Sequence, residues 1–149
     1  MRGVLQRVKR ASVTVDGKVV GEIEKGIMIL IGVTDTDTEA DADYIAEKTV
    51  NARIFTDSED KMNLSLLDVG GAVLAVSQFT LYGDARKGRR PSFIKAAKGE
   101  ISEPLYELVC KRMADMGVKV EKGIFGADML VSIENDGPVT ILLESDRSF

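Results

Sequence analysis

The sequence predicts an α+β fold: one layered β/β/α domain spanning residues 1–149, with antiparallel and mixed strand pairing and two main helices. Three observations point there. β-type runs punctuated by glycine turns fill the opening third, the middle and the last third of the chain, while only two stretches carry an apolar period of helical spacing. Two helices cannot cover both faces of so many strands, so part of the sheet must pack on another sheet. The sheet surface left over invites dimerisation.

Val4 to Val15 reads as a strand in which Val4, Gln6, Val8 and Arg10 oppose Leu5, Arg7 and Lys9, with an irregularity near Ala11 before Val13 and Val15 resume the apolar phase. Asp16-Gly17 signals a hairpin, returning through Lys18 to Glu24 with Val19, Gly21 and Ile23 in phase. Ile27 to Val33 is apolar throughout, the mark of a central strand covered on both faces. Thr38 and Asp41 have capping-box spacing, and Ala42, Ile45, Ala46 and Thr49 give the first helix a buried face down to about Arg53. Ile54-Phe55 suggests a short strand, and 56–67 a polar surface loop. After the turn Asp68-Val69-Gly70-Gly71, Ala72 to Val76 reads as a buried strand. Ser102 is expected to cap the second helix, with Pro104 in its first turn, a stripe of Leu105, Leu108, Val109, Met113 and Met116, and Gly117 at its end. Val118 to Glu121 is a short strand. Met129 to Ile133 and Val139 to Leu143 are strands joined by Glu134-Asn135-Asp136-Gly137-Pro138, read as a hairpin turn.

Composition removes several classes of chemistry. There is no histidine among the 149 residues, which excludes Ser-His-Asp and Cys-His catalysis and every His-ligated metal site. With Cys110 as the only cysteine, no intrachain disulfide and no structural zinc site can form; no metal and no cofactor are expected. The acid-rich segment Asp35–Asp43 lacks the glycine and distal glutamate of an EF-hand and reads as a solvated helix entry. The longest apolar run, Ile27–Ile31, is too short to cross a bilayer, and charges interrupt the first residues at once; a cytoplasmic address is expected, with no membrane partner. Net charge is −4, so the whole molecule is no generic polyanion binder and DNA is not expected as a partner. Yet Ala85 to Lys98 holds six basic residues and no acid: Arg86, Lys87, Arg89, Arg90, Lys95 and Lys98. Such a run is either a solvated loop or a phosphate contact.

Two constellations remain. The strand 72–76 leads directly into Ser77-Gln78-Phe79-Thr80-Leu81-Tyr82-Gly83-Asp84, which places polar side chains at the mouth of a core strand, where a rigid scaffold presents chemistry. The same pattern also suits a strand end with a Ser/Thr turn. In Asn135-Asp136-Gly137-Pro138 a proline opens a strongly apolar strand, and an X–Pro bond is cis in only about 5–6% of cases in folded proteins.

Ser77-Gln78-Phe79-Thr80-Leu81 together with Asn135-Asp136-Gly137-Pro138-Val139-Thr140 resembles the two signature motifs of the D-aminoacyl-tRNA deacylases. The similarity extends to Met1–Val8 and to Gly123–Met129, covering essentially the whole chain. The resemblance implies a homodimeric proofreading hydrolase that releases D-amino acids, and glycine, from tRNA, a chirality checkpoint in translation quality control. It further implies a cis Gly137-Pro138 bond reaching into the partner's pocket, where its carbonyls exclude the side chain of an L-aminoacyl group. Ser77, Gln78, Phe79 and Thr80 would form the catalytic stretch, with Leu81, Phe125, Met129 and Arg7 binding substrate or supporting the pocket. Phe125 and Met129 would hold the terminal adenosine.

An aminoacyl ester is already activated, so the missing histidine fits hydrolysis by a placed water, amide oxyanion donors around Phe79 and Thr80, and help from the ribose 2′-OH. Thr80 Oγ as nucleophile is the alternative. Arg86, Lys87, Arg89 and Arg90 are candidate contacts to tRNA phosphates, giving affinity that falls with salt. Two rival classes stay open: a non-catalytic RNA-binding module, and a small-molecule hydrolase using Asp84 or Asp136 as base.

Overall fold

A computed structural model describes residues 1–149. Its strands are β1 (Arg2–Val15), β2 (Lys18–Ile23), β3 (Gly26–Gly32), β4 (Phe55–Thr56), β5 (Met62–Leu64), β6 (Ala72–Ser77), β7 (Lys119–Lys122) and β8 (Leu130–Glu144). Three helices, α1 (Glu39–Asn51), α2 (Leu66–Val69) and α3 (Gly99–Asp115), complete it, with one 3-10 turn at Phe79–Tyr82. The α+β expectation holds. All strands but β4 and β5 join one mixed sheet, in which β3 and β6, and β6 and β7, run parallel and the other pairs antiparallel.

β1 is the organising strand. Along one edge it pairs with β3 through Arg2–Val8 and then with β2 through Ala11–Val15; along the other it pairs with β8 from Arg2 to Thr14. To serve both neighbours the strand changes phase: Leu5 and Arg7 are buried on one face, Lys9 and Arg10 are exposed, and Ala11 and Val13 are buried again. The expected irregularity is thus real but begins at Val8, where the register to β8 slips. Past it, β2 folds over β6 and β7: a Cβ on Gly21 would stand 3.2 Å from Leu74 and 2.5 Å from the Lys122 carbonyl. One sheet folded on itself therefore supplies both β layers, with Val8, Ala11, Val13, Ile23, Met28, Leu74 and Val76 sealed between them. The larger core lies on the other side, where α1 and α3 cover Leu5, Ile27, Ile29, Ile31, Val73 and Ala75.

Local signals explain the elements. Asp16 (φ 49°) and Gly17 (φ 76°) make the hairpin with two left-handed residues, the turn whose twist suits flanking strands. Its register slips between Val13 and Thr14, and that slip turns Val19 outward, against the expected phase. The capping box at Thr38 and Asp41 forms, and Ala42, Ile45, Ala46 and Thr49 are buried, joined by Val50. Central strand β3 is buried almost throughout.

Four expectations are corrected. Residues 56–67 are not a loop: β4 and β5 pair, and Ser65 caps α2 by accepting from the Asp68 amide. A two-residue strand and a single helical turn are too short to show a period. Helix α3 starts at Gly99 with Lys98 as its cap, so Ser102 lies inside it and donates through Oγ to Lys98 O (3.0 Å). The buried stripe accordingly runs through Ser102, Tyr106, Val109, Cys110 and Met113, with Leu105, Leu108 and Met116 at its margins. Finally, Leu130 to Glu144 is one strand rather than a hairpin. Both of its flanks, 130–135 and 140–144, find partners in β1, so residues 136–139 bulge instead of reversing the chain.

Candidate active site

β6 lies between β3 and β7 and delivers its last residue, Ser77, opposite Ile31. The Gln78 amide still donates to Ile31 O (2.8 Å), after which the chain winds into the single turn Phe79–Tyr82. That turn seats on Gly32, where a Cβ would stand 2.9 Å from Leu81 Cβ. Tyr82 is buried beneath the Arg2 guanidinium, 4.6 Å from its ring centroid, and Arg2 Nη1 donates to Leu81 O (2.8 Å). Burial raises the Tyr82 phenol well above its ordinary pKa. Gln78 Nε2 donates to Thr80 Oγ1. The Phe79 and Thr80 amides head the turn, where no earlier turn offers them carbonyls.

Beside this turn opens a cavity of about 400 Å³. Ser77, Gln78 and Phe79 form one wall, the loop Phe125–Met129 a second, and Ala97, Gly99, Ser102 and Tyr106 from the start of α3 a third. Tyr106 fixes α3 to the strand by donating from its hydroxyl to Ala75 O (2.9 Å), and burial holds its phenol protonated far above the usual range. Its ring lies 6.0 Å from Phe125. Met129 reaches the cavity across Gly123, where a Cβ would stand 2.6 Å from its sulfur. Asp128 is the one charged residue of the lining. The structure thus brings Ser77, Gln78, Phe79, Phe125 and Met129 together. Thr80 and Leu81 sit on the turn behind this wall and do not line the cavity. The contribution from α3 escaped sequence reasoning; the signal was Ser102 and Tyr106 one helical turn apart, two hydroxyls within an apolar stripe.

The second motif stands elsewhere. In the β1–β8 ladder Gln6 pairs with Thr140 and Val8 with Asn135, so Asp136 to Val139 all bulge opposite the single residue Arg7. Arg7, 8% exposed, holds the bulge: Nε donates to Asp136 O (3.1 Å) and lies 3.6 Å from its carboxylate, while Nη1 donates to Ile54 O (2.8 Å). Asn135 Nδ2 donates to Arg7 O (2.9 Å) and Val139 O (3.3 Å), and Thr140 Oγ1 donates to Gln6 Oε1. The expected cis bond is not found: Gly137–Pro138, like every peptide in the chain, is trans. Gly137 at φ 101° supplies the change of direction, and trans is the ordinary state of an X–Pro bond. Gly137, Pro138 and Arg7 do not line the cavity of their own chain.

The basic loop is closed at its base by paired backbone hydrogen bonds between Asp84 and Ser92 (2.8 and 2.9 Å). Arg86 clasps the Asp84 carboxylate through Nε (2.9 Å) and Nη2 (2.6 Å), and those hydrogen bonds hold Asp84 far below its usual pKa. Asp84 is therefore a poor proton acceptor, which weighs against its use as a base. Lys87, Arg89 and Arg90 are exposed and enter no ion pair. No helix is long and apolar enough to cross a membrane, and no group of three or more His, Cys, Asp or Glu side chains stands where it could hold a metal ion.

The family model described as D-Tyr-tRNA(Tyr) deacylase matches residues 4–144. A curated D-aminoacyl-tRNA deacylase of Caldicellulosiruptor saccharolyticus is 60% identical over 149 residues, covering both chains completely. One from Thermus aquaticus is 59% identical over 99% of this chain and 97% of its own. Among solved structures, one titled c-Myc DNA Unwinding Element Binding Protein superposes with a TM-score of 0.90 at 39% identity, over 97% of this chain and 98% of its own. A match over 141 positions and identities near 60% along the full length are not fragments of likeness: the chain belongs to the D-Tyr-tRNA(Tyr) deacylase family.

Proposed function

We propose that this member of the deacylase family hydrolyses the ester of D-aminoacyl-tRNA, accepts glycyl-tRNA, and rejects L-aminoacyl-tRNA by exclusion. One observation carries the reading: the cavity is walled by Ser77–Phe79 and Phe125–Met129 and contains no histidine, lysine or cysteine to act as base or nucleophile. An aminoacyl ester needs none of these, because its carbonyl is already activated. Stabilising the oxyanion with the Phe79 and Thr80 amides, placing a water, and using the substrate's own 2′-OH suffices. Phe125 and Met129 offer the apolar seat for the terminal adenosine.

The chirality check rests on a homodimer. The Gly137–Pro138 bulge is held by Arg7 and Asn135 yet lies outside the Ser77–Phe79 cavity of its own subunit, which supports presentation to a partner's. Leu130, Ile133 and Leu142 are exposed on β8, the strand that carries the bulge, and offer apolar surface for that association. Backbone carbonyls of the bulge would then occupy the volume an L side chain requires, leaving glycine and D side chains free. Arg86, Lys87, Arg89 and Arg90 are assigned to tRNA phosphates.

The test is paired deacylation of D-tyrosyl-tRNA and L-tyrosyl-tRNA by the purified protein, with chelator present. Loss of the D ester with the L ester spared is expected. Survival of both esters with tRNA still bound would leave a binding module, and cleavage of both would remove the exclusion role from Gly137–Pro138.

A further inference from the structure

Phe79 lines the cavity, is 58% exposed overall, and turns another side to the basic loop. There it meets Phe93 edge-on, ring centroids 5.2 Å apart at 70°. Phe93 comes from the basic loop and is itself 40% exposed. The pair is built rather than incidental. Gly83 is what allows the approach, since a Cβ there would stand 3.0 Å from the Phe93 ring. The Asp84–Ser92 bridge fixes the loop one residue before Phe93, and a turn from Phe93 O to the Ala96 amide (3.0 Å) fixes it after. Two aromatic rings in water cost free energy unless something covers them. The surrounding charge says what: the segment supplying Phe93 carries six cations, of which only Arg86 is ion-paired. A homodimer contact made patch to patch would oppose these cations to their copies, whereas a polyanion with flat bases satisfies ring and charge together.

We propose that the Phe79–Phe93 pair is a stacking platform for the nucleobase that precedes the terminal adenosine of the substrate. This rests on the pocket reading above and extends it by one nucleotide. With the adenosine seated by Phe125 and Met129, the strand leaves the cavity over the Phe79 wall. The next base then lies against Phe93, with its phosphate toward the loop cations. The platform is blind to sequence, because every base offers a π-face. Phe93 is a binding residue for the strand and takes no part in ester cleavage.

The experiment compares the trinucleotide CCA with adenosine. Binding of a 5′-fluorescein-labelled CCA is followed by anisotropy, adenosine is its competitor, and the proteins are wild type, Phe93→Leu and Phe93→Tyr. Stacking of one base is worth about 1–3 kcal/mol, so Phe93→Leu should weaken CCA binding about tenfold, with Phe93→Tyr close to wild type and adenosine affinity unchanged in all three. Kinetics provide the second readout: Phe93→Leu should raise KM for D-tyrosyl-tRNA while leaving KM and kcat for the D-tyrosyl ester of adenosine unchanged. Equal loss on CCA and adenosine, a change in the oligomeric state of Phe93→Leu, or unaltered CCA binding would each overturn the platform. Because the binding arm needs no hydrolysis, a protein that binds CCA through Phe93 but cleaves no D ester would refute the enzymatic reading and leave this one standing.

Discussion

Thr80 has its hydroxyl oxygen engaged by Gln78 Nε2 and has no base at hand, since the nearby Asp84 is clasped by Arg86. A nucleophile so placed would be idle, and a positioning group would not. Thr80→Ala should therefore reduce kcat on D-tyrosyl-tRNA by less than about tenfold; loss of an essential nucleophile would cost at least about 10⁴-fold, and single-turnover kinetics separates the two. Arg7 is a different kind of residue. It is buried, it donates to the carbonyls of Ile54 and Asp136, and it fills the space a side chain on Gly137 would need. Arg7→Ala leaves those acceptors without a donor, a loss of about 1–3 kcal/mol in urea unfolding. Gly137→Ala adds left-handed strain and presses on the guanidinium, at about 1–3 kcal/mol. Both should raise the ratio of L- to D-tyrosyl-tRNA cleavage as the bulge loses its shape, and Lys at position 7 should not restore it, because an ammonium cannot reproduce the guanidinium fork.

At the scale of elements, most of what could be read in advance had a period or a cap. Strand β3 with its unbroken apolar run, the capping box of α1, the Asp16-Gly17 hairpin and the glycine after α3 are local devices, so they were visible locally. What could not be read depended on distant partners. The bulge in β8 exists because Gln6 and Val8 pair with residues on either side of it, and nothing within Asn135–Pro138 distinguishes a bulge from a hairpin. Likewise the Ser77–Leu81 motif marked one wall of the cavity, while the α3 wall depended on a helix starting four residues earlier than its serine suggested. Tyr106 ties that wall to β6, and Tyr106→Phe removes one of the two donors to the Ala75 carbonyl, which keeps the Gly123 amide (3.1 Å). It should lower stability by about 0.5–1.5 kcal/mol and raise KM more than it lowers kcat, as read by urea unfolding and steady-state kinetics.

For the whole molecule, the lack of histidine removes the only side chain whose ordinary pKa falls between about 5 and 7, and Cys110 is buried with its thiol pushed up to about 11. Stability should therefore be flat across about pH 5–7. Below about pH 4 it should fall. Asp57 and Asp68 are held under their ordinary values by backbone amides of Lys61 and Ser65, so their contribution is complete above the unfolded pKa and lost as pH drops through the folded one. Thermal melts across pH 3–7 check both limbs. The long pairing of β1 with β8 has a further consequence, in the order of assembly. During synthesis the first strand emerges early and can gather β2 and β3 at once, but its outer edge stays open until residues 130–144 arrive. An unpaired edge of that length is a template for another chain, so the nascent protein is most exposed to misassembly while its last strand is still being made, and the bulge that should judge chirality is among the last parts to take shape.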